Sequence, residues 1–252
     1  MTRVAVVSPH LDDAVLPAWL VLARNPRARV VSCFAGTPPS SVSGAWDTAT
    51  KFASAEQAVA ARRREDISAL ALTGSEAVHL DLLDEQYRNG QNSPSRQVTD
   101  LLRTHLAGAE EVWLPAGLGN HTDHLLARDA ALAATDQTNQ AIRLYADLPY
   151  AGQPAWPMDV TRALPDRVRN RLLIALNRPT PAEQWRATLA TATLGRRLGP
   201  RVVEQLPRPD LRAKVGAVRC YVSQLEALRC GPKHPLRERR IFACEVHWPL
   251  RR

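Results

Sequence analysis

Short apolar runs alternate with longer amphipathic stretches over the first 150 positions, and the alternation predicts strands and helices in turn. Residues 3 to 7 read as a buried strand, and Ala14 to Arg24 as the helix that follows, with Pro17 tolerable only near its first turn. Arg29 to Phe34 is β-branched and apolar, the pattern of a strand buried on both faces. From Ala35 to Ala53 periodicity gives way to Gly, Pro, Ser and Thr, a loop at a strand's carboxyl end. Ser54 is placed to cap a helix from Ala55 to Leu72, with Gly74 as its stop and Glu76 to Leu80 as the third strand. A polar loop, Asp84 to Pro94, leads to a helix over Ser95 to Ala107. Glu111 to Pro115 is the fourth strand, the helix after it runs through Ala134, and Ile142 to Leu148 is the fifth.

Strands that alternate with helices bury both faces of a parallel sheet. The expected fold is therefore α/β: a three-layer αβα, Rossmann-like, mostly parallel sheet with a C-terminal elaboration. One domain spans 1–252, with a core over 1–149. Residues 150–210 are rich in proline and read as short helices, Thr180-Pro181-Ala182-Glu183 being a capping box, that either cap or flank the active-site edge or form an oligomer contact. Residues 211–252 return to the core through a helix from Leu211 to Leu228 and a strand from Arg240 to Val246.

Composition narrows the class. Hydrophobic residues make up 45% and charged residues 23%, and no apolar run nears the roughly 18 residues a membrane span needs, so no membrane partner is expected. No charged, apolar and small-residue leader precedes the first strand, which sets a cytoplasmic location as the expectation. Cys33, Cys220, Cys230 and Cys244 show no paired spacing and read as reduced core residues. The net charge of +8 invites a nucleic-acid partner, but the arginines are scattered, no basic run exceeds Arg62-Arg63-Arg64, and no aromatic platform separates basic residues. Nucleic acid is thus disfavoured against a basic surface or an anionic substrate. Gly117-Leu118-Gly119 lacks the third glycine of a dinucleotide fingerprint.

Two clusters carry the candidate chemistry. His10-Leu11-Asp12-Asp13 follows the first strand, and His121-Thr122-Asp123-His124 follows the fourth. Loops beyond the carboxyl ends of parallel strands converge on one crevice. Imidazole nitrogen and carboxylate oxygen suit zinc and its neighbours, and a catalytic site takes three protein ligands with one position open. His10 and Asp13 can face one point, as can His121 and His124; spacing alone does not say which histidine binds metal. The groups left over are those that hydrolysis requires: a carboxylate base, an imidazole and an orienting carboxylate.

His10 to Asp13 and His121 to His124 resemble the two signature motifs, H-P-D-D and H-P-D-H, of the PIG-L/LmbE-like family of zinc-dependent N-acetylglucosaminyl deacetylases. Arg62 with Glu65 is similar to that family's R-x-x-E helix, Tyr145 to Tyr150 to its post-sheet segment, and Lys214 to Ala217 with Tyr221 to Gln224 to its C-terminal helix. The chain departs at Leu11, Thr122 and Ala14, where the family often has Pro, Pro and Glu; none of these is a metal ligand. The resemblance implies one Zn2+ per chain, or another divalent ion such as Fe2+, held by His10, Asp13 and His124. It implies Asp12 as general base, His121 as acid or oxyanion stabiliser, Asp123 tuning His121, and Arg62 on the substrate. The implied reaction is removal of an N-acetyl group from an amino-sugar-containing small molecule by metal-activated water. Alternatives are a metal-dependent hydrolase of an ester or phosphoester, or a non-catalytic nucleotide- or RNA-binding protein. Trp46-Asp47 in the long loop reads either as a pocket lining or as an indole that anchors the loop, and a homo-oligomer is open.

Overall fold

The computed structural model describes residues 2–44, 47, 50, 52–88, 90, 95–153, 155–161, 163–193, 195–225, 228, 229 and 235–251, the side chains of 235–237 excepted. Five parallel strands form the expected frame: β1 (Val4–Ser8), β2 (Arg29–Ser32), β3 (Glu76–His79), β4 (Glu111–Pro115) and β5 (Ala141–Tyr145), in the spatial order β3-β2-β1-β4-β5. The order reverses between β1 and β4, where Ala5 pairs with Val112 and Val6 with Trp113. The connections leaving β1 and β4 therefore depart in opposite directions and open a crevice between them. Both sequence clusters begin at those two strand ends.

The crossing helices are α1 (Val15–Arg24), α2 (Ala55–Ala71), α3 (Ser95–Leu106) and α4 (Thr122–Ala134). Ser54 accepts the Gln57 N–H at the start of α2, as its cap position requires. Pro17 sits in the first turn of α1, and the helix kinks at the next residue, Ala18. Val6, Val7, Val30, Val31, Leu114 and Leu144 are wholly buried between the helices, so the sheet is covered on both faces. Cys33 and Cys244 are buried and Cys220 half-buried, all three free; Cys230 lies outside the described residues.

The second half departs from expectation in three places. Residues 150–210 hold α5 (Leu164–Ala175) and α6 (Pro181–Thr191), the latter opened by the Thr180–Glu183 capping box, but also two strands, β6 (Arg197–Leu198) and β7 (Val202–Gln205). The helix expected over Leu211 to Leu228 is interrupted: α7 (Arg208–Val218) ends and α8 (Val222–Leu225) restarts, its Ser223 N–H and Oγ both donating to the Glu65 carboxylate. A carboxylate that accepts first-turn N–H groups stabilises a new helix start.

The strand expected over Arg240 to Val246 lies further on. Pro235–Phe242 forms α9, with Glu238 turned inward to Arg219, and β8 runs over Cys244–Arg251. Pro249 removes one N–H from β8, yet its carbonyl accepts the Gly199 N–H at 2.7 Å, so the strand continues beside β6. β8 runs antiparallel to β5, and β6 and β7 pair with it in turn, making the sheet mixed and eight-stranded.

Candidate metal site and pocket

The turn after β1 is closed by its own side chains. Ser8 Oγ donates to the His10 carbonyl at 2.6 Å, and the His10 N–H donates to Asp13 Oδ2 at 2.9 Å. That oxygen also lies 3.0 Å from His10 Nδ1 and 3.1 Å from His124 Nε2. His10, Asp13 and His124 thus offer three donor atoms within 4.8 Å of one another, drawn from both clusters. A second group among the described residues, His10, His121 and Asp123, meets the same criterion.

The surroundings of the two groups differ. His124 is buried on the first turn of α4, and its Nδ1 lies 2.7 Å from Asp147 Oδ1, which leaves Nε2 as the lone-pair nitrogen. That Nε2 makes no hydrogen bond among the described residues, although Asp13 is within ion-pair distance: an alignment poor for sharing a proton, and suited to sharing a cation. Asp123 is already engaged. Its Oδ1 accepts from Arg88 at 2.6 Å, and its Oδ2 accepts the Glu85 N–H at 2.9 Å and lies 3.1 Å from His10 Nε2. His121 caps α4, its Nδ1 accepting the Asp123 N–H at 3.2 Å, so a neutral His121 carries its proton on Nε2.

The electrostatics favour positive charge at the cradle. Burial opposes protonation of His10, but Asp123 and Asp13 hold its pKa well above the ordinary value. Burial likewise opposes protonation of His124, and Asp13 and Asp147 push it up to about 9. Against the effect of burial, His124 and His10 hold Asp13 well below the usual carboxylate range, and His10 and Arg88 bring Asp123 to about 2. Asp12 behaves oppositely: burial and then the Asp13 charge push it up to about 8. Its carboxylate makes no hydrogen bond with the described residues and lines the pocket. His121 is lowered by burial and by the charges of His10 and His124.

The pocket, a cavity of about 300 Å³, opens over His10, Asp12, Asp13 and His121 and is walled by Arg62 and Tyr150. This is the lower end of the range for small-molecule sites, roughly the space of one sugar-sized group. Arg62 is buried; its Nη2 donates to Asp47 Oδ1 at 3.0 Å beside the Tyr87 hydroxyl at 2.8 Å, while its Nε has no partner among the described residues. Asp47 accordingly anchors the long loop, and Trp46 lies outside the described residues. Five of the seven candidate residues, His10, Asp12, Asp13, Arg62 and His121, line this cavity, while Asp123 lies against His10 and His124 against Asp13. Sequence reasoning gave no role to Asp147 or Arg88; Asp147 stood in the quoted segment after β5, whereas no local pattern marks Arg88.

The fold and the cradle together define a class: an α/β protein that presents two imidazoles and a carboxylate at the sheet's switch point, a donor set for a divalent ion. Residues 5–135 match the PIG-L family, GlcNAc-PI de-N-acetylase, and the chain belongs to that family. It is 30% identical over 183 residues to the 2'-N-acetylparomamine deacetylase of Streptomyces fradiae, an alignment covering 64% of this chain and 62% of the relative, less than two thirds of the latter's length. The crystal structure of the zinc-inhibited form of teicoplanin deacetylase Orf2 is 28% identical with a TM-score of 0.73, covering 99% of this chain and 98% of that one. A40926 pseudoaglycone deacetylase Dbv21 is 26% identical with a TM-score of 0.72, covering 99% and 97%.

Proposed function

We propose that the chain is a metal-dependent N-deacetylase that hydrolyses the acetamide of an amino-sugar-containing small molecule. The observation that carries this reading is the His10, Asp13 and His124 cradle with the unbonded carboxylate of Asp12 beside it in the pocket. His124 Nε2, buried and without a hydrogen bond among the described residues, marks this group over the one containing Asp123, whose oxygens already serve Arg88 and Glu85. We assign the ion as zinc, one per chain, with Fe2+ the alternative to be tested. A divalent ion held there would supply Lewis acidity, polarising a carbonyl and bringing the pKa of a coordinated water from about 15.7 towards 7.

The chain's own groups divide the remaining work. Asp12 is the general base: burial and the Asp13 charge raise its pKa, and a divalent cation beside it would offset that charge, leaving the carboxylate ionised to accept the proton of the attacking water. His121 presents Nε2–H to the carbonyl oxygen as negative charge develops there, and the proton that Asp12 took from water passes to the leaving nitrogen as the C–N bond breaks, giving the amine and acetate. Asp123 is a positioning residue twice over, fixing the His121 tautomer through its main-chain N–H and orienting His10 through its carboxylate. Arg62, whose side chain lines the pocket and whose Nη2 is steadied by Asp47, holds a substrate oxygen.

The relatives are named for 2'-N-acetylparomamine and for the A40926 pseudoaglycone, so the substrate proposed here is an N-acetylated amino sugar carried on a larger glycoside. The test is mass spectrometry of such compounds with purified, metal-loaded protein. Loss of one acetyl group, abolished by a chelator and restored by zinc or Fe2+, is the expected result. An ion-bearing protein that leaves every N-acetyl sugar intact while cleaving an ester or phosphoester would overturn it.

A further inference from the structure

α5 buries the wrong side for its composition. Asp166, Asn170 and Leu173 face inward: Asp166 accepts the Trp156 N–H and pairs with Arg240, and Asn170 donates to the Trp156 carbonyl. Leu164, Val168, Leu172 and Leu176, each four residues from the next, form a stripe along the opposite side, with exposures from 44% at Leu172 to 72% at Leu164. Among the described residues, six of the nine exposed large hydrophobic side chains lie between 158 and 176. Scattered exposed leucines are ordinary; a continuous stripe concentrated on one helix marks a contact surface.

The charges beside the stripe say what it contacts. On a helical wheel Arg167 and Arg171 fall along one edge of it and Arg169 along the other. All three are exposed, and none forms an ion pair with the described residues. The only carboxylate of α5, Asp166, is turned inward. A second copy meeting this face about a twofold axis would set arginine against arginine. An anionic lipid surface offers the complement: hydrocarbon for the leucines and valine, and headgroup phosphates for guanidinium groups on flexible stems.

We infer that the outward face of α5 docks the protein on an anionic lipid surface, with Leu164, Val168 and Leu172 entering the headgroup boundary and Arg167, Arg169 and Arg171 engaging phosphate. No described helix is long and apolar enough to cross a membrane, and the absence of a spanning run says nothing about a helix lying in the interface. The surface belongs to the segment that leaves the pocket: Pro149 and Tyr150 line the cavity, and Trp156 between them and α5 fastens that helix to the body. Docking here would therefore hold one flank of the pocket at the membrane, whatever bond the site cleaves.

The experiment is co-sedimentation of the full chain with vesicles of phosphatidylglycerol and phosphatidylcholine, against vesicles of phosphatidylcholine alone. Binding to the anionic vesicles, weakened by salt, is expected; about tenfold or greater loss is expected for L164S/V168S/L172S and for R167Q/R169Q/R171Q. Both sets change exposed positions only, and unaltered circular dichroism and Tm confirm intact folding. The inference is overturned if the unaltered chain ignores anionic vesicles, or if both variants bind them as well as it does. It is also overturned if light scattering shows a dimer that L164S/V168S/L172S converts to monomer.

Discussion

Asp147 Oδ1 stands 2.7 Å from His124 Nδ1, with both side chains buried and the other Asp147 oxygen accepting the Leu118 N–H at 2.8 Å. The carboxylate end of β5 thus reaches across to orient a histidine that α4 presents to the cradle. Such partners fix the tautomer and raise ligand basicity. Asp147→Asn should weaken divalent-ion binding by about 10- to 100-fold, read by competition with a chromophoric chelator. Unchanged affinity would remove Asp147 from this role.

Asp12→Asn separates ion binding from turnover. The ion count per chain should stay near that of the unaltered protein by elemental analysis, because Asp12 belongs to neither ligand group. Turnover should fall by at least about 10²-fold, the scale of losing a general base. A loss of both together would place Asp12 among the ligands.

His247 should set part of the acid limit of stability. Burial, then the Arg143 charge, lowers its pKa from 6.5 to about 4; its ring packs edge-on to Trp113 at 4.6 Å, and its Nδ1 has no partner among the described residues. The unfolded chain binds this proton more tightly than the folded one. The contribution is therefore complete above pH 6.5 and is lost as pH falls towards 4, by on the order of 2–3 kcal/mol. His247→Phe keeps the ring contact without the titration and should flatten urea-derived stability across that window; an unchanged slope would assign the acid sensitivity elsewhere.

Lys214 and Glu245 form a buried pair, Nζ to Oε1 at 2.7 Å, with Glu245 Oε2 also accepting the Leu20 N–H. Lys214→Met strands a carboxylate whose pKa burial already raises, and should cost roughly 3–5 kcal/mol. Adding Glu245→Gln removes the stranded charge while keeping an acceptor for Leu20, so the double variant should be more stable than the single one in urea. If the double variant is weaker still, the pair contributes net stability.

How much of this was legible in the chain follows from the range of each interaction. His10 to Asp13 and His121 to His124 could be read because strand, turn and helix start are local and because β1 and β4 are neighbours at a switch point. Ser54 and Thr180 showed their caps for the same reason. Arg88 reaches Asp123 across 35 positions and Asp147 reaches His124 across 23, and no periodicity encodes either contact. β6 and β7 are two and four residues long and exist because β8 lies beside them, so their own residues announce no strand. β8 begins beyond the expected Arg240 because Arg240 to Phe242 carries the β-like end of an amphipathic helix, and Pro249 hides a strand whose neighbour needs only its carbonyl.

The position of β8 also governs the order in which the chain can assemble as it leaves the ribosome. β1 to β5 can pair with one another as they emerge, but the outer edge of β5 has no strand to cover it until β8 arrives about a hundred residues later. Through that interval the nascent sheet carries an open row of N–H and C=O groups on the apolar strand that leads to Asp147, the template on which one growing chain can add to another. Slow elongation through residues 146–243 would lengthen this exposure, so recombinant yield should depend on translation speed and on chaperone supply.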